Sequence, residues 1–418
     1  MIQRARWWLS ICVVLSAGCA GAVEPRFPAL SAPALEQRRA AALPALTALR
    51  EGSFDEAGRR AGAELGADTT NPYARLVRAV VRYKTSMHQL ALDVRTVGAG
   101  VIGAGGLNQK YLRTTLEEGE GELAAVETDL AAISLQPDLS VELCLACWEI
   151  DWNGNGRIDS GDRHLLEIEQ DAAGKPIPEG DPRRRPTFRF DAGDVAWARA
   201  FVSFQRAALD VVIAYDWSDL GRVVGELRGR GERGDELLIR LAVPARVAAA
   251  RERLLEGLSR SDEARRSYLA ETDDDREWVP SPRQKSHPVP LPVDQALYDT
   301  WEGVLGDLRR LVRSEEGLYL ADLLLLTGEL RGDAPPRGYL DLGSMLSRPR
   351  DVTLSLGKLK QLERGHDVEG TLAALLGDHY VPSMKASPLP RRLLRMKGEM
   401  DRHDEAFEHK LRYLFWLN

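Results

Sequence analysis

From about residue 34 onward, apolar positions recur at three- and four-residue steps. In one stretch Val195, Ala198, Phe201, Val202, Leu209, Val212 and Ile213 follow that spacing. Alternating runs of β-branched residues are scarce, so the pattern predicts a mainly α fold. Two stretches interrupt it. Residues 20–33, AGAVEPRFPALSAP, are rich in Ala and Pro and read as the body of a tether over 19–33. Residues 273–293 carry five prolines, which break any helix. They read as a linker between a helical domain at 34–272 and a C-terminal helical domain at 294–418.

One local pattern occurs three times: LREGSFDEAGRR (49–60), LLEGLSRSDEARR (254–266) and RMKGEMDRHDEAFEH (395–409). In each, a helical segment reaches a Gly, then a polar turn, then Asp-Glu-Ala opening the next helix. The acids suit the positive end of a helix, and the Ala lets two antiparallel helices approach closely. The pattern resembles the turn between the paired helices of tetratricopeptide repeats, and NPYA (71–74) adds to the likeness. The copies lie 207 and 142 residues apart, with no 34-residue tandem period between them. The expectation is therefore of helical hairpins, in an irregular or a tetratricopeptide-like arrangement.

The start of the chain, MIQRARWWLSICVVLSAGCAG, has Arg4 and Arg6, an apolar run from Trp7 to Leu15, and small residues up to Cys19. That is the layout of an export signal, too short for a stable transmembrane helix. LSAGC (15–19) resembles the lipobox of bacterial lipoproteins. The resemblance implies a signal peptide at 1–18, acyl chains on Cys19 and, with Ala20 rather than Asp next, sorting to the outer membrane of the cell envelope. Several acyl chains, each methylene worth about 0.8 kcal/mol on burial, would make the anchor durable.

Charge narrows the partners. Of 56 basic residues 47 are Arg, yet Asp and Glu together number 63, for a net charge of −7. No net positive field remains to attract nucleic acid. With Cys12 removed and Cys19 acylated, only Cys144 and Cys147 are left, in a compartment that tolerates disulfides. The CLAC pair sits in what reads as a helix, so it is expected to be buried and structural, bridged or not.

Catalytic patterns are sparse. No GxSxG, HExxH or Walker loop is present, and the seven histidines are dispersed. SLGK (355–358) matches the serine–lysine element of penicillin-binding proteins without that family's partner motifs. GAGVIG (98–103) fits GxGxxG but lacks a preceding strand, so it is expected to be a glycine turn between helices and not a nucleotide site.

DWNGNGRIDSGD (151–162) is the stretch with most chemistry. Counted as a twelve-residue loop, it has Asp151 at position 1, Asn153 at 3, Asn155 at 5, Gly156 at 6, Arg157 at 7, Asp159 at 9 and Asp162 at 12. Side-chain oxygens at alternate residues can curl round a hard cation, Gly at 6 takes the sharp turn, and position 7 offers its backbone carbonyl. This resembles the EF-hand calcium-binding loop. The flanks extend the likeness: VELCLACWEI puts Leu143, Ala146, Cys147 and Ile150 on one face of an entering helix, and Leu165, Leu166 and Ile168 belong to a short exiting helix.

The resemblance implies a calcium site made by Asp151, Asn153, Asn155, Arg157, Asp159 and Asp162. The alternative is a structural Asx-rich turn. Asp162 stands where the family more often has Glu, and its shorter reach implies weak affinity, on the order of 10 to 1000 μM. EF-hands pair, and RFDAGD (189–194) repeats the second half, RIDSGD (157–162), in residue type. It is expected either as a silent second hand whose strand pairs with Ile158, closing a region of 141–216, or as an ordinary helix cap.

Together these readings describe a calcium-binding lipoprotein of the cell envelope that acts as a binding or scaffold protein. Its partners would be the membrane, through the lipid anchor, and another envelope protein, with calcium mainly structural. The alternatives are an envelope enzyme with an unrecognised active site, or a calcium-responsive sensor.

Overall fold

The computed structural model describes residues 29–102, 109–152, 154–163, 167–171, 175–218, 236–272, 276–284, 293–327, 336–355 and 368–401. The expected signal peptide, Cys19 and Asn153 lie outside them.

The protein is mainly helical, as the three- and four-residue spacing predicts. α1 (Ala32–Arg50), α2 (Phe54–Ala67), α3 (Pro72–Ile102) and α4 (Gln109–Ala131) pack each on the next. Between α1 and α2 the expected hairpin forms. Gly52 takes a left-handed φ of 71°, and the Ser53 N–H closes the turn on the Ala48 carbonyl at 2.9 Å. Asp55 and Glu56 occupy the first turn of α2, while Ala57 and Ala61 are fully buried against the neighbouring helices. Asn71 fixes the next corner. Its Oδ1 accepts from the Tyr73 and Ala74 N–H groups that open α3, and its Nδ2 donates to the Arg38 carbonyl and the Glu64 carboxylate.

After α4 come β1 (Val141–Leu143), a short α5 (Ser160–Arg163), β2 (Phe188–Phe190) and α6 (Ala192–Ala214). Then follow β3 (Tyr215–Asp216), β4 (Glu236–Leu241), α7 (Pro244–Ala270) and α8 (Gln295–Val312). The C-terminal part holds β5 (Leu318–Tyr319), α9 (Leu320–Thr327), β6 (Tyr339–Leu340), α10 (Leu342–Ser347) and β7 (Val352–Ser355). It ends with α11 (Val368–Leu376), β8 (Tyr380–Val381) and α12 (Leu389–Asp401). The strands form small antiparallel sheets, β1-β2, β3-β4-β7 and β5-β6-β8.

The second hairpin pattern does not turn, and the third is described only in its first, helical half. Residues 254–266 lie inside α7, and α12 runs through Gly398 to Asp401, beyond which 402–409 fall outside the described residues. At Gly257 the absent side chain serves helix packing. A Cβ there would stand 2.5 Å from the Phe204 ring and 3.1 Å from the Ala200 carbonyl, so glycine is what lets α6 and α7 approach. Likewise α3 continues as helix through Gly98 and Gly100 to Ile102, the first half of the stretch expected to turn between helices, and 103–108 lie outside the described residues.

Two large cores result. The first gathers α1 to α4, the β1-β2 ribbon and α6, and also takes in Trp278, whose ring meets Phe188 edge-on at 4.8 Å and stacks on Phe190 at 5.8 Å. Trp278 belongs to the Pro-rich segment, which is anchored further by the Arg189 N–H donating to the Arg276 carbonyl. The second core combines Ala207 and Ala214 of α6 and Leu254 and Leu258 of α7 with Leu305 and Leu311 of α8, Leu342 of α10 and Leu389 of α12. Residues from both sides of 273–293 thus share one core, and the boundary placed at Asp294 does not coincide with a break in packing.

Arginine supplies the polar joints. Asp129 on α4 faces Arg75, Arg78 and Arg82 of α3, and Glu120, Glu127 and Asp210 face Arg206, Arg246 and Arg253 across α4, α6 and α7. Buried carboxylates of this kind persist because planar guanidinium groups match them in charge and shape. No helix among the described residues is long and apolar enough to cross a membrane.

Candidate metal centre

The segment leading into 151–162 is not helical. Val141 and Leu143 are buried and Glu142 between them is exposed, a period of two that makes β1, paired with β2 in the register Val141 to Phe190 and Leu143 to Phe188. Cys144 continues extended. A single 3-10 turn at Leu145–Cys147 is then closed by a Cys144–Cys147 disulfide. The expected entering helix is therefore replaced by a strand and a bridged turn, and the helix-loop-helix outline of an EF-hand is not formed. The alternation at Val141 and Leu143 outweighs the helical spacing of Leu143, Ala146, Cys147 and Ile150 because the strand finds a partner in β2.

Trp148 then locks the turn to the helices. Its Nε1–H donates to the Leu49 carbonyl at 2.8 Å, and its ring meets Phe54 edge-on at 5.3 Å beside the α1–α2 corner. The loop that follows curls around its own first residue. Asp151 accepts the Asn155 N–H on Oδ1 at 3.0 Å and the Gly156 N–H on Oδ2 at 2.6 Å, while its carbonyl accepts from Gly154. Gly154 and Gly156 take φ of 64° and 80°, the left-handed region that glycine enters without strain. Asn155 Oδ1 accepts the Arg157 N–H at 2.8 Å, and its Nδ2 donates to Asp159 Oδ2 at 2.8 Å. Asp151, Asn155, Asp159 and Asp162 are thus brought into one hydrogen-bonded turn, whereas the Arg157 side chain is exposed.

Asp162 turns inward. It is buried, and its Oδ2 accepts the Asp159 N–H at 3.1 Å, capping the four-residue α5. The longer exiting helix is not present in what is described. Leu165 and Leu166 lie outside the described residues, and Ile168 reaches the core from non-helical chain, its N–H donating to the Arg184 carbonyl.

RFDAGD resolves as a helix cap. Asp191 Oδ1 accepts the Gly193 N–H at 2.6 Å, and Asp194 Oδ2 accepts the Asp191 N–H at 2.9 Å, a reciprocal capping box at the start of α6. The likeness to RIDSGD is real at this level, since Asp162 answers the Asp159 N–H as Asp194 answers that of Asp191. The strand expected to pair with Ile158 pairs with β1 instead. Asp194 is fully enclosed and receives the Tyr268 hydroxyl at 2.8 Å. Burial pushes its carboxyl well above the usual carboxylate range, and the nearby Asp191 carboxylate acts in the same direction.

Chemically the turn holds carboxylate and amide oxygens close together around a sharp backbone curl. An ionised carboxylate has about four lone-pair positions, so Asp151 can hold two N–H groups and still offer oxygen to a cation. Among the described residues no group of three or more His, Cys, Asp and Glu stands at metal-binding distances.

One contact was invisible to sequence reasoning. His88 on α3 reaches the Asp151 carbonyl through Nε2 at 2.7 Å, and its ring meets Trp152 edge-on at 5.8 Å. A histidine 63 residues upstream gives no local signal of this role. Elsewhere, Ser344 Oγ lies 2.7 Å from His379 Nδ1, but both are buried, and Ser344 sits in the first turn of α10, its N–H capped by Asp341. That contact is a packed polar joint. Compared with known proteins, the chain matches no family model, no curated relative and no solved structure.

Proposed function

We propose that this chain is a calcium-binding lipoprotein of the cell envelope, anchored through Cys19, which acts as a binding or scaffold protein and uses calcium mainly as a structural clasp. The observation that carries the reading is the turn at 151–162. Asp151 gathers the backbone about a left-handed Gly156, and its own carbonyl is tied to α3 by His88. An ion bound in that turn would stiffen the corner where Trp148 and Trp152 meet the first core. The ligands would be oxygens of Asp151, Asn153, Asn155, Asp159 and Asp162 with the Arg157 carbonyl. Support for the compartment comes from the signal layout and LSAGC at 15–19, with the Cys144–Cys147 bridge consistent with an oxidising location.

At about a hundredfold excess of calcium over the dissociation constant, one site stabilises the folded state by roughly 2.7 kcal/mol. Melting the wild-type chain and Asp151→Ala with calcium, magnesium or chelator tests this. The wild type is expected to melt higher in calcium and the variant not to respond. Melting temperatures unmoved by calcium in both would overturn the reading.

A further inference from the structure

The first core is not completely filled. Between α3, α4, the β1 corner and α6 lies a cavity of about 110 Å³, walled by Val80, Leu130, Leu143, Trp148, Ala198 and Phe201 among other apolar side chains. Besides Tyr83, whose hydroxyl accepts from Gln205 Nε2, one acid and one base line it, and they differ in one decisive respect. Asp194 has both carboxyl oxygens engaged, by the Tyr268 hydroxyl and the Asp191 N–H. Lys84 has no partner among the described residues. Its side chain is buried, its Nζ makes no hydrogen bond or ion pair, and three ring faces stand around it: Tyr83 at 5.9 Å, Trp148 at 5.8 Å and Trp152 at 5.8 Å.

A lysine is rarely buried without a pairing group, and an ammonium has three hydrogens to place. Aromatic faces offset part of its lost hydration but accept no conventional hydrogen bond. A water molecule there would need two to four polar neighbours, and the lining is almost wholly apolar. The arrangement is a buried cation in the lining of an apolar chamber, and it fits a ligand of opposite polarity: an anionic head joined to a compact hydrocarbon body. The size is also defined: an apolar cavity of roughly 150 Å³ takes one benzene, so one of about 110 Å³ takes a body smaller than that ring, such as a short branched alkyl chain.

We propose that this cavity is a binding site for a small hydrophobic monocarboxylate, a short branched alkanoate, whose carboxylate accepts hydrogen bonds from Lys84 Nζ while its body fills the space between Leu130, Ala198 and Phe201. The site shares Trp152 with the turn at 151–162 but uses none of the oxygens proposed there for calcium, and it stands whether or not that turn binds calcium.

The test is calorimetric titration of the chain with 3-methylbutanoate and with its neutral isostere 3-methylbutanamide. A charge-assisted pair in a dry site makes the acid bind about ten- to a hundredfold tighter than the amide. Lys84→Met, which keeps the side chain's bulk, is expected to erase that preference while leaving weak binding of the amide. Ala198→Phe, which fills the chamber and keeps the lysine, is expected to weaken both ligands. Equal affinity for acid and amide in the wild type would overturn the proposal, as would retention of the preference in Lys84→Met or the absence of binding by either compound. The comparison of acid with amide on the wild type decides the matter even if a variant fails to fold.

Discussion

Replacing Lys84 by Met should change not only stability but its dependence on pH. Burial pushes the Lys84 ammonium from an ordinary 10.5 down to about 8, and no carboxylate counters it. Below pH 8 both the folded and the unfolded chain carry the proton, and the folded state bears the whole penalty. Between 8 and 10.5 the unfolded chain keeps a proton that the folded chain has lost, so stability rises with pH. At 1.36 kcal/mol per unit the rise attributable to this one group is about 3 kcal/mol. Met carries no proton, so the variant lacks that increment, and the difference between the two proteins isolates it from every other titration. Urea unfolding of both proteins at intervals from pH 7 to 10.5 provides the difference curve. Lys84→Met should be the more stable by up to about 3 kcal/mol at pH 7, less what the three aromatic faces return to the charged lysine, with the gap closing toward pH 10.5. Parallel curves across that range would refute the reasoning, because they would mean that Lys84 titrates as it does in water.

Three other outcomes follow from named contacts. Gly257→Ala would drive a methyl into the Phe204 ring and the Ala200 carbonyl, costing about 1–3 kcal/mol in thermal unfolding. Reducing the Cys144–Cys147 bridge, or replacing both cysteines by Ser, frees only a four-residue loop, so chain entropy accounts for about 2 kcal/mol in the same assay. His88→Ala removes the hydrogen bond that ties the Asp151 carbonyl to α3, and should increase hydrogen exchange at Asn155 and Gly156 while exchange in α7 stays unchanged.

What could be read along the chain was what local interactions decide. The helical spacing, the Gly52 corner and the cap at Asp191 each depend on residues a few positions apart, and each is found where the pattern placed it. The misread stretches depend on distant partners. Gly257 announces a turn in isolation, but Phe204, its reason for being small, is on another helix. Val141 and Leu143 become a strand because Phe188 and Phe190 arrive to pair with them. In the same way the hydrogen-bonded curl of Asp151, Asn155 and Asp159 depends on residues a few positions apart, whereas the His88 contact to Asp151 and the isolation of Lys84 among three rings arise only once α3 packs on the loop.

The turn at 151–162 carries the proposed function, and a direct calcium titration of the chain after chelator treatment tests it without intermediaries. The result predicted is one ion per chain with a dissociation constant on the order of 10 to 1000 μM, lost in Asp151→Ala. No saturable binding at millimolar calcium, or the same binding in the variant, would contradict it.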